Sequence, residues 1–180
     1  MRVIAGTARG RRLVAPPGTT TRPTSERVRE ATFNALGSLG AVTDATVLDL
    51  FAGSGAMGVE ALSRGAAHAT FVDSDRQARS VIETNLAACG MADRATVLAV
   101  PAERYLVEAD RSGAAFDLAF VDPPYGFDGW PDLLGVLPAE LAVLESGREV
   151  DPPAGWVAIR SKRYGRAHVT FVERDREPPP

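Results

Sequence analysis

Val47-Leu48-Asp49-Leu50-Phe51-Ala52-Gly53-Ser54-Gly55-Ala56-Met57-Gly58 decides the fold. A β-branched and aliphatic run enters a glycine turn, and Ala56 to Arg64 then reads as a helix closed by Gly65. Glycines allow the chain to turn tightly and let another backbone or a ligand approach closely, and the helix that follows offers free N–H groups. Outward from this unit, the chain beyond Thr43 alternates short apolar runs with helical segments, the order that builds a parallel sheet covered on both faces. The pattern predicts strands near 46–50, 69–72, 95–100, 117–121 and 141–145, with helices near 56–64, 75–89, 102–109 and 131–137. Gly65 and Gly90 stand where helix C-caps belong. Two more strands, near 156–161 and 167–173, are joined by Tyr164-Gly165-Arg166, too short for a crossover and therefore an antiparallel hairpin. The fold class is α/β, a doubly wound, mostly parallel sheet.

The spacing Gly53, Gly55, Gly58 fits Gly-x-Gly-x-x-Gly, so a nicotinamide dinucleotide is one reading of the turn. Asp49, four residues before the first glycine, favours a different ligand, because a carboxylate there repels a pyrophosphate but accepts a hydrogen bond from an ammonium group. Asp73, ending the run Ala69-Thr70-Phe71-Val72, is placed to accept from two ribose hydroxyls and serves either ligand.

Phe120-Val121-Asp122-Pro123-Pro124-Tyr125 separates the two readings, since hydride transfer has no use for it. An exocyclic base nitrogen must lose its amide-like conjugation before it can attack a methyl donor, and two acceptors near its protons favour the rehybridised form. The Asp122 carboxylate and Pro123 carbonyl supply acceptors, the prolines stiffen the loop, and Tyr125 offers a ring to stack on a base. The plain alternative is an ordinary Asp-Pro turn at a strand end.

Asp49 through Gly58, Asp73 and Asp122 through Tyr125 resemble the class I S-adenosylmethionine-dependent methyltransferases of the amino-group type. Arg22-Pro23-Thr24-Ser25-Glu26-Arg27-Val28-Arg29-Glu30 with Phe33-Asn34, and Ala61-Leu62-Ser63-Arg64-Gly65, narrow the resemblance to the RsmD family, from about Arg2 to about Glu173. The resemblance implies a seven-stranded Rossmann-like sheet ending in a hairpin, S-adenosyl-L-methionine as cofactor, and methylation of a guanine N2 amine in 16S ribosomal RNA. The expected catalytic group is Asp122, Pro123, Pro124 and Tyr125, and the expected cofactor group Asp49, Phe51, Gly53, Gly55, Asp73 and Ala102. Where related enzymes often carry an Asp or Asn for the adenine amine, Val100-Pro101-Ala102 stands here, leaving adenine to backbone groups and apolar packing. The clamp does not name its base, so adenine N6 and cytosine N4 remain alternatives, and a non-catalytic RNA-binding module is a third class. A carbon-methylating enzyme would need a cysteine nucleophile beside a proline, and Cys89 is not so placed. The guanine must be flipped or unpaired to enter, with Tyr125, Phe127 or Trp130 to stack on it.

Composition narrows the remaining classes. The 180 residues suffice for one domain, and their 45% hydrophobic content is ordinary for a globular chain. No apolar run approaches the ~20 residues a bilayer needs, and the N-terminus lacks a signal-peptide core, so a cytoplasmic location away from membranes is expected. Cys89 is the only cysteine, in a setting that reads as the buried end of a helix. His68 and His168 lack metal-ligand spacing to a second His or Cys, so no metal is expected. The net charge of −3 is uneven, because residues 1–30 hold seven arginines against Glu26 and Glu30, a local +5 on a body of −8. Arginine forks match phosphate oxygens, which makes Arg9, Arg11, Arg12, Arg22, Arg27 and Arg29 the candidate RNA-binding residues, with Arg160, Lys162, Arg163 and Arg166 a second basic cluster. Arg2–Gly6 and Arg11–Ala15 read as the two strands of a small N-terminal β-hairpin about a turn at Thr7 to Gly10. The expected organisation is a basic hairpin and arm over 1–23, a methyltransferase domain over 24–176 and a disordered tail over 177–180. From Thr24 a helix begins, capped by Thr24 or Ser25, with Val28, Ala31, Ala35 and Leu39 as its apolar stripe. The expected partner is 16S rRNA within a small-subunit assembly particle, met by a monomer.

Overall fold

The computed structural model describes residues 1–16 and 26–175, so Arg22 and the expected Thr24 or Ser25 cap lie outside the described residues. Helix α1 spans Glu26–Ser38, and the chain then alternates through β1 (Thr46–Leu50), α2 (Ala56–Ser63), β2 (His68–Asp73), α3 (Arg76–Cys89), β3 (Ala95–Ala99), α4 (Ala102–Ser112), β4 (Phe116–Val121), α5 (Trp130–Val136) and β5 (Ala139–Ser146). It closes with β6 (Trp156–Tyr164) and β7 (Ala167–Arg174). The seven strands form one sheet in the order β3-β2-β1-β4-β5-β7-β6. β1 to β5 are mutually parallel, while β7 inserts antiparallel between β5 and the edge strand β6.

The strand order reverses at β1, which pairs with β2 on one side and β4 on the other. A crevice opens there, between the loops that leave β1 and β4, where doubly wound sheets bind ligands. Alternation along each strand divides the core into two layers. Val47, Phe71, Phe120, Val143 and Phe171 face α1, α2 and α3, packing with Phe33, Val59 and Ile82. Leu48, Leu50, Val72, Ala119, Val121 and Leu144 face α4 and α5, packing with Leu106, Trp130 and Leu134. Cys89 ends α3 half-buried, and Gly90 caps that helix at φ 67°.

The N-terminal hairpin is smaller than its sequence pattern suggests. Its two expected strands reduce to a single antiparallel bridge, Arg2 to Arg12. Val3 N–H donates across to the Arg11 carbonyl and Leu13 N–H to the Met1 carbonyl, both at 3.0 Å, but beyond Val3 the donors go to α2: Ile4 and Ala5 N–H donate to the Glu60 carboxylate at 2.8 and 3.0 Å, and Thr7 N–H to the Ser63 carbonyl at 2.8 Å. Gly6 lies so close to Ser63 that a Cβ there would fall 1.8 Å from its carbonyl oxygen. Val3, Ala8 and Leu13 therefore share the core of α1 and β1.

Helix α1 is rotated relative to the expected stripe. Val28, Arg29, Thr32, Phe33, Ala35 and Leu36 are buried, whereas Ala31 is half-buried and Leu39, past the helix end, is 53% exposed. Arg29, expected among the RNA contacts, is fully buried. Its position, three, four and seven residues before Thr32, Phe33 and Leu36, puts it on the core-facing side. There its Nε lies 3.6 Å from the Glu60 carboxylate, an ion pair longer than a hydrogen bond, and its Nη2 donates to the Arg2 carbonyl. Glu60 also pairs with Arg64 at 2.7 Å. Arg29 thus fastens the N-terminal segment to α2.

Candidate methyl-transfer site

After β1 the backbone enters a left-handed conformation at Phe51, φ 66°, and again at Gly53 and Gly55. A bulky residue tolerates that region only where its surroundings hold it. Ala52 N–H donates to the Val72 carbonyl at 3.0 Å, Gly55 N–H to the Ala52 carbonyl at 2.7 Å, and the Phe51 ring lies 6.4 Å from that of Phe127. The turn is thereby fixed, and a Cβ on Gly53 would meet nothing within 4 Å, so its outer side is open. Gly58 serves a different purpose. A Cβ there would fall 2.3 Å from the Phe71 ring, so glycine is needed for α2 to lie against β2.

The two acidic residues of the turn have distinct surroundings. Asp73, at the end of β2, accepts from Gly53 N–H at 2.7 Å and from Asp75 N–H at 2.9 Å. It braces the turn while keeping lone pairs for a further donor. Asp49 is buried within β1 and accepts from Gly58 N–H at 2.9 Å, at the start of α2. Burial pushes its carboxyl up to about 7, the Gly58 hydrogen bond opposing this and the Asp73 charge adding to it. A buried carboxyl so poised suits a cationic partner, which would restore its ionised form. Ala102, at the start of α4, is buried, with Pro101 at its N-cap and half-buried Val100 and Tyr105 beside it.

Asp122 follows β4 and lines an open cleft of about 270 Å³, whose other lining residues include Pro123, Pro124, Tyr125, Glu145 and Arg148. Its side chain reaches solvent, yet protein crowds it on the other sides, and this raises its proton affinity; the Glu145 and Asp49 carboxylates raise it further. Pro123 is buried, whereas Pro124 is exposed and its carbonyl accepts from Phe127 N–H at 3.2 Å. Tyr125 is 82% exposed, one edge of its ring lying against the Gly147 backbone. Trp130 cannot stack on an incoming base, because it is buried at the start of α5 and meets the Phe127 ring edge-on at 5.2 Å. Phe127 is half-buried between Phe51 and Trp130 and links the glycine turn to the Asp122 loop.

Asp49, Asp73 and Asp122 thus converge on the β1–β4 crevice, at or just beyond the C-terminal ends of three strands. Glu145, toward the end of β5, is the acidic residue that motif reading passed over; it ends an apolar run, Ala142-Val143-Leu144, as Asp73 and Asp122 do. Arg9, Arg11, Arg12 and Arg27 are exposed.

The model of the family described as "Conserved hypothetical protein 95" matches residues 1–173. The chain belongs to the RsmD family. It is 36% identical to the Escherichia coli (strain K12) protein named "Ribosomal RNA small subunit methyltransferase D", over 97% of this chain and 90% of that one. The solved structure of a hypothetical protein from Thermus thermophilus superposes with a TM-score of 0.82 at 34% identity, covering 96% of this chain and 99% of that chain. An RNA methyltransferase from Salinibacter ruber, solved with S-adenosyl-L-homocysteine, shares the fold with a TM-score of 0.66 at 18% identity, over 88% of this chain and 97% of that one. The RsmD-family pattern therefore runs through nearly the whole chain, glycine turn and Asp122 loop included.

Proposed function

We propose that this protein transfers a methyl group from S-adenosyl-L-methionine to the N2 amine of a guanine in 16S ribosomal RNA, within a small-subunit assembly particle. The observation that carries the reading is the shared edge: the Asp49–Asp73 turn and the Asp122-Pro123-Pro124-Tyr125 loop leave adjacent strands at the point where the sheet reverses. Two carboxylates around the glycine turn oppose a pyrophosphate and favour a cation and a ribose, which fits this cofactor better than a dinucleotide. When bound, the cofactor supplies an electrophilic methyl on a sulfonium centre. Asp49 and Asp73 would hold its ammonium and ribose ends, with Phe51, Gly53, Gly55 and Ala102 along its length.

Asp122 and the Pro123 carbonyl would accept the two amine protons and align the nitrogen lone pair. Tyr125 would cover the base and help exclude water. No strong base is needed before attack; the amine becomes acidic once methylated, and Asp122 or water takes its proton. Arg9, Arg11, Arg12, Arg22 and Arg27 would hold RNA phosphates.

The test is incubation of the purified protein with isotopically labelled methyl donor and small-subunit particles from cells lacking it, followed by mass spectrometry of the ribosomal nucleosides. Labelled N2-methylguanosine is the expected product. Label in an adenine or cytosine amine, or no label at all, would overturn the proposal.

A further inference from the structure

The β4–β5 pairing places a second carboxylate beside the first. Phe120 pairs with Val143 and Val121 with Leu144. Two residues past Phe120 and Val143, on the same face of the sheet, stand Asp122 and Glu145. Neighbouring strands lie about 4.8 Å apart, so the two side chains rise side by side. Both line the cleft whose rim carries the Tyr125 ring, resting on Gly147, and the Arg148–Asp128 ion pair. The upward push that Glu145 exerts on the Asp122 carboxyl fits the same proximity.

We infer that Glu145 is a specificity-determining residue, accepting the N1–H of the target guanine while Asp122 and the Pro123 carbonyl accept the N2 protons. The inference rests on the N2-amine reading above. On the Watson–Crick edge of guanine, N1–H and N2–H₂ are adjacent donors, and two neighbouring carboxylates, when ionised, present acceptors and no donor to them. Adenine and cytosine also offer an exocyclic amine, but the adjacent ring nitrogen carries a lone pair. Held by the same clamp, that lone pair would face Glu145, and two acceptors would oppose each other. A mismatch of this kind, set against a good pair, is worth about 10- to 100-fold in discrimination. The clamp alone fits any amine; the second carboxylate makes it a guanine site.

The test compares guanosine with 2-aminopurine riboside at the methylated nucleotide. That nucleotide is first mapped with the wild-type protein, and the analogue is then ligated into otherwise identical RNA. The analogue keeps the amine on C2 but has a lone pair at N1 in place of N1–H. The wild-type protein should methylate guanosine at least about 10-fold faster than the analogue. In Glu145→Gln, whose amide can accept from N1–H or donate to a bare N1, the ratio should fall to within about threefold, with binding of S-adenosyl-L-homocysteine unchanged. An effect exerted only through folding or through the charge on Asp122 would slow both substrates alike and leave the ratio in place, which would overturn the assignment. Equal wild-type rates on the two substrates would overturn it without recourse to any variant. Failure of the wild-type protein to make N2-methylguanosine at all would instead remove the proposed function beneath it.

Discussion

Asp49 should make cofactor binding depend on pH. Its carboxyl is raised from 3.8 to about 7, first by burial and then by Asp73, against the Gly58 hydrogen bond. If the bound ligand's ammonium meets the ionised form, each binding event at low pH must expel a proton. Affinity for S-adenosyl-L-homocysteine should then be about fiftyfold weaker at pH 5 than at pH 7, and about 0.9 proton should be released at pH 6. The ligand's own ammonium stays charged throughout this range. Calorimetric titration in two buffers of different ionisation enthalpy measures both quantities. Folding of the ligand-free protein has the opposite sign. Because the folded value lies above the unfolded one, the stability linked to Asp49 is fully present below pH 3.8 and is lost as pH rises through about 7. Asp49→Asn, which keeps an acceptor for Gly58, should abolish the pH slope of binding and stabilise the free protein above pH 7 by up to ~4 kcal/mol. An affinity flat from pH 5 to 7, or an Asn variant that keeps the wild-type slope, would refute the reasoning.

Asp122→Ala should slow methyl transfer by about 10²-fold or more in single-turnover assays while leaving S-adenosyl-L-homocysteine affinity within a few fold, since the clamp touches the acceptor only. Replacing Arg9, Arg11 and Arg12 together by Ala should weaken RNA binding and flatten its salt dependence by ~0.7–0.9 per lost phosphate contact. Arg29→Met should leave that salt slope intact and lower folding stability by ~3 kcal/mol in denaturant titration, because Glu60 loses a buried counter-ion. Gly58→Ala drives a methyl into the Phe71 ring, and thermal melts should show a loss of ~1–3 kcal/mol accompanied by weaker cofactor binding as α2 shifts.

The alternation of apolar runs and helical spacing placed all seven strands and the helices of the doubly wound sheet, to within a few residues at each end. It did so because Gly65, Gly90 and the Tyr164-Gly165-Arg166 turn punctuate it, and because strands covered on both faces read as continuous apolar runs. Asp49, Asp73 and Asp122 were legible for the same reason, as carboxylates at or near the ends of such runs. Only the tertiary structure decided what each acid and base meets. Arg29 looked like one more arginine of a basic arm, but the true phase of α1 turns it inward to Glu60, 31 residues away. Arg2 and Arg12 pair at a bridge that does not extend into strands, because from Ile4 onward Glu60 and Ser63 take the backbone donors. Glu145 acquires its meaning from Asp122, 23 residues earlier, through the β4–β5 register. Periodicity is a property of the local chain and survives in the sequence, whereas the pairing of a buried charge depends on which distant side chain the packing delivers to it.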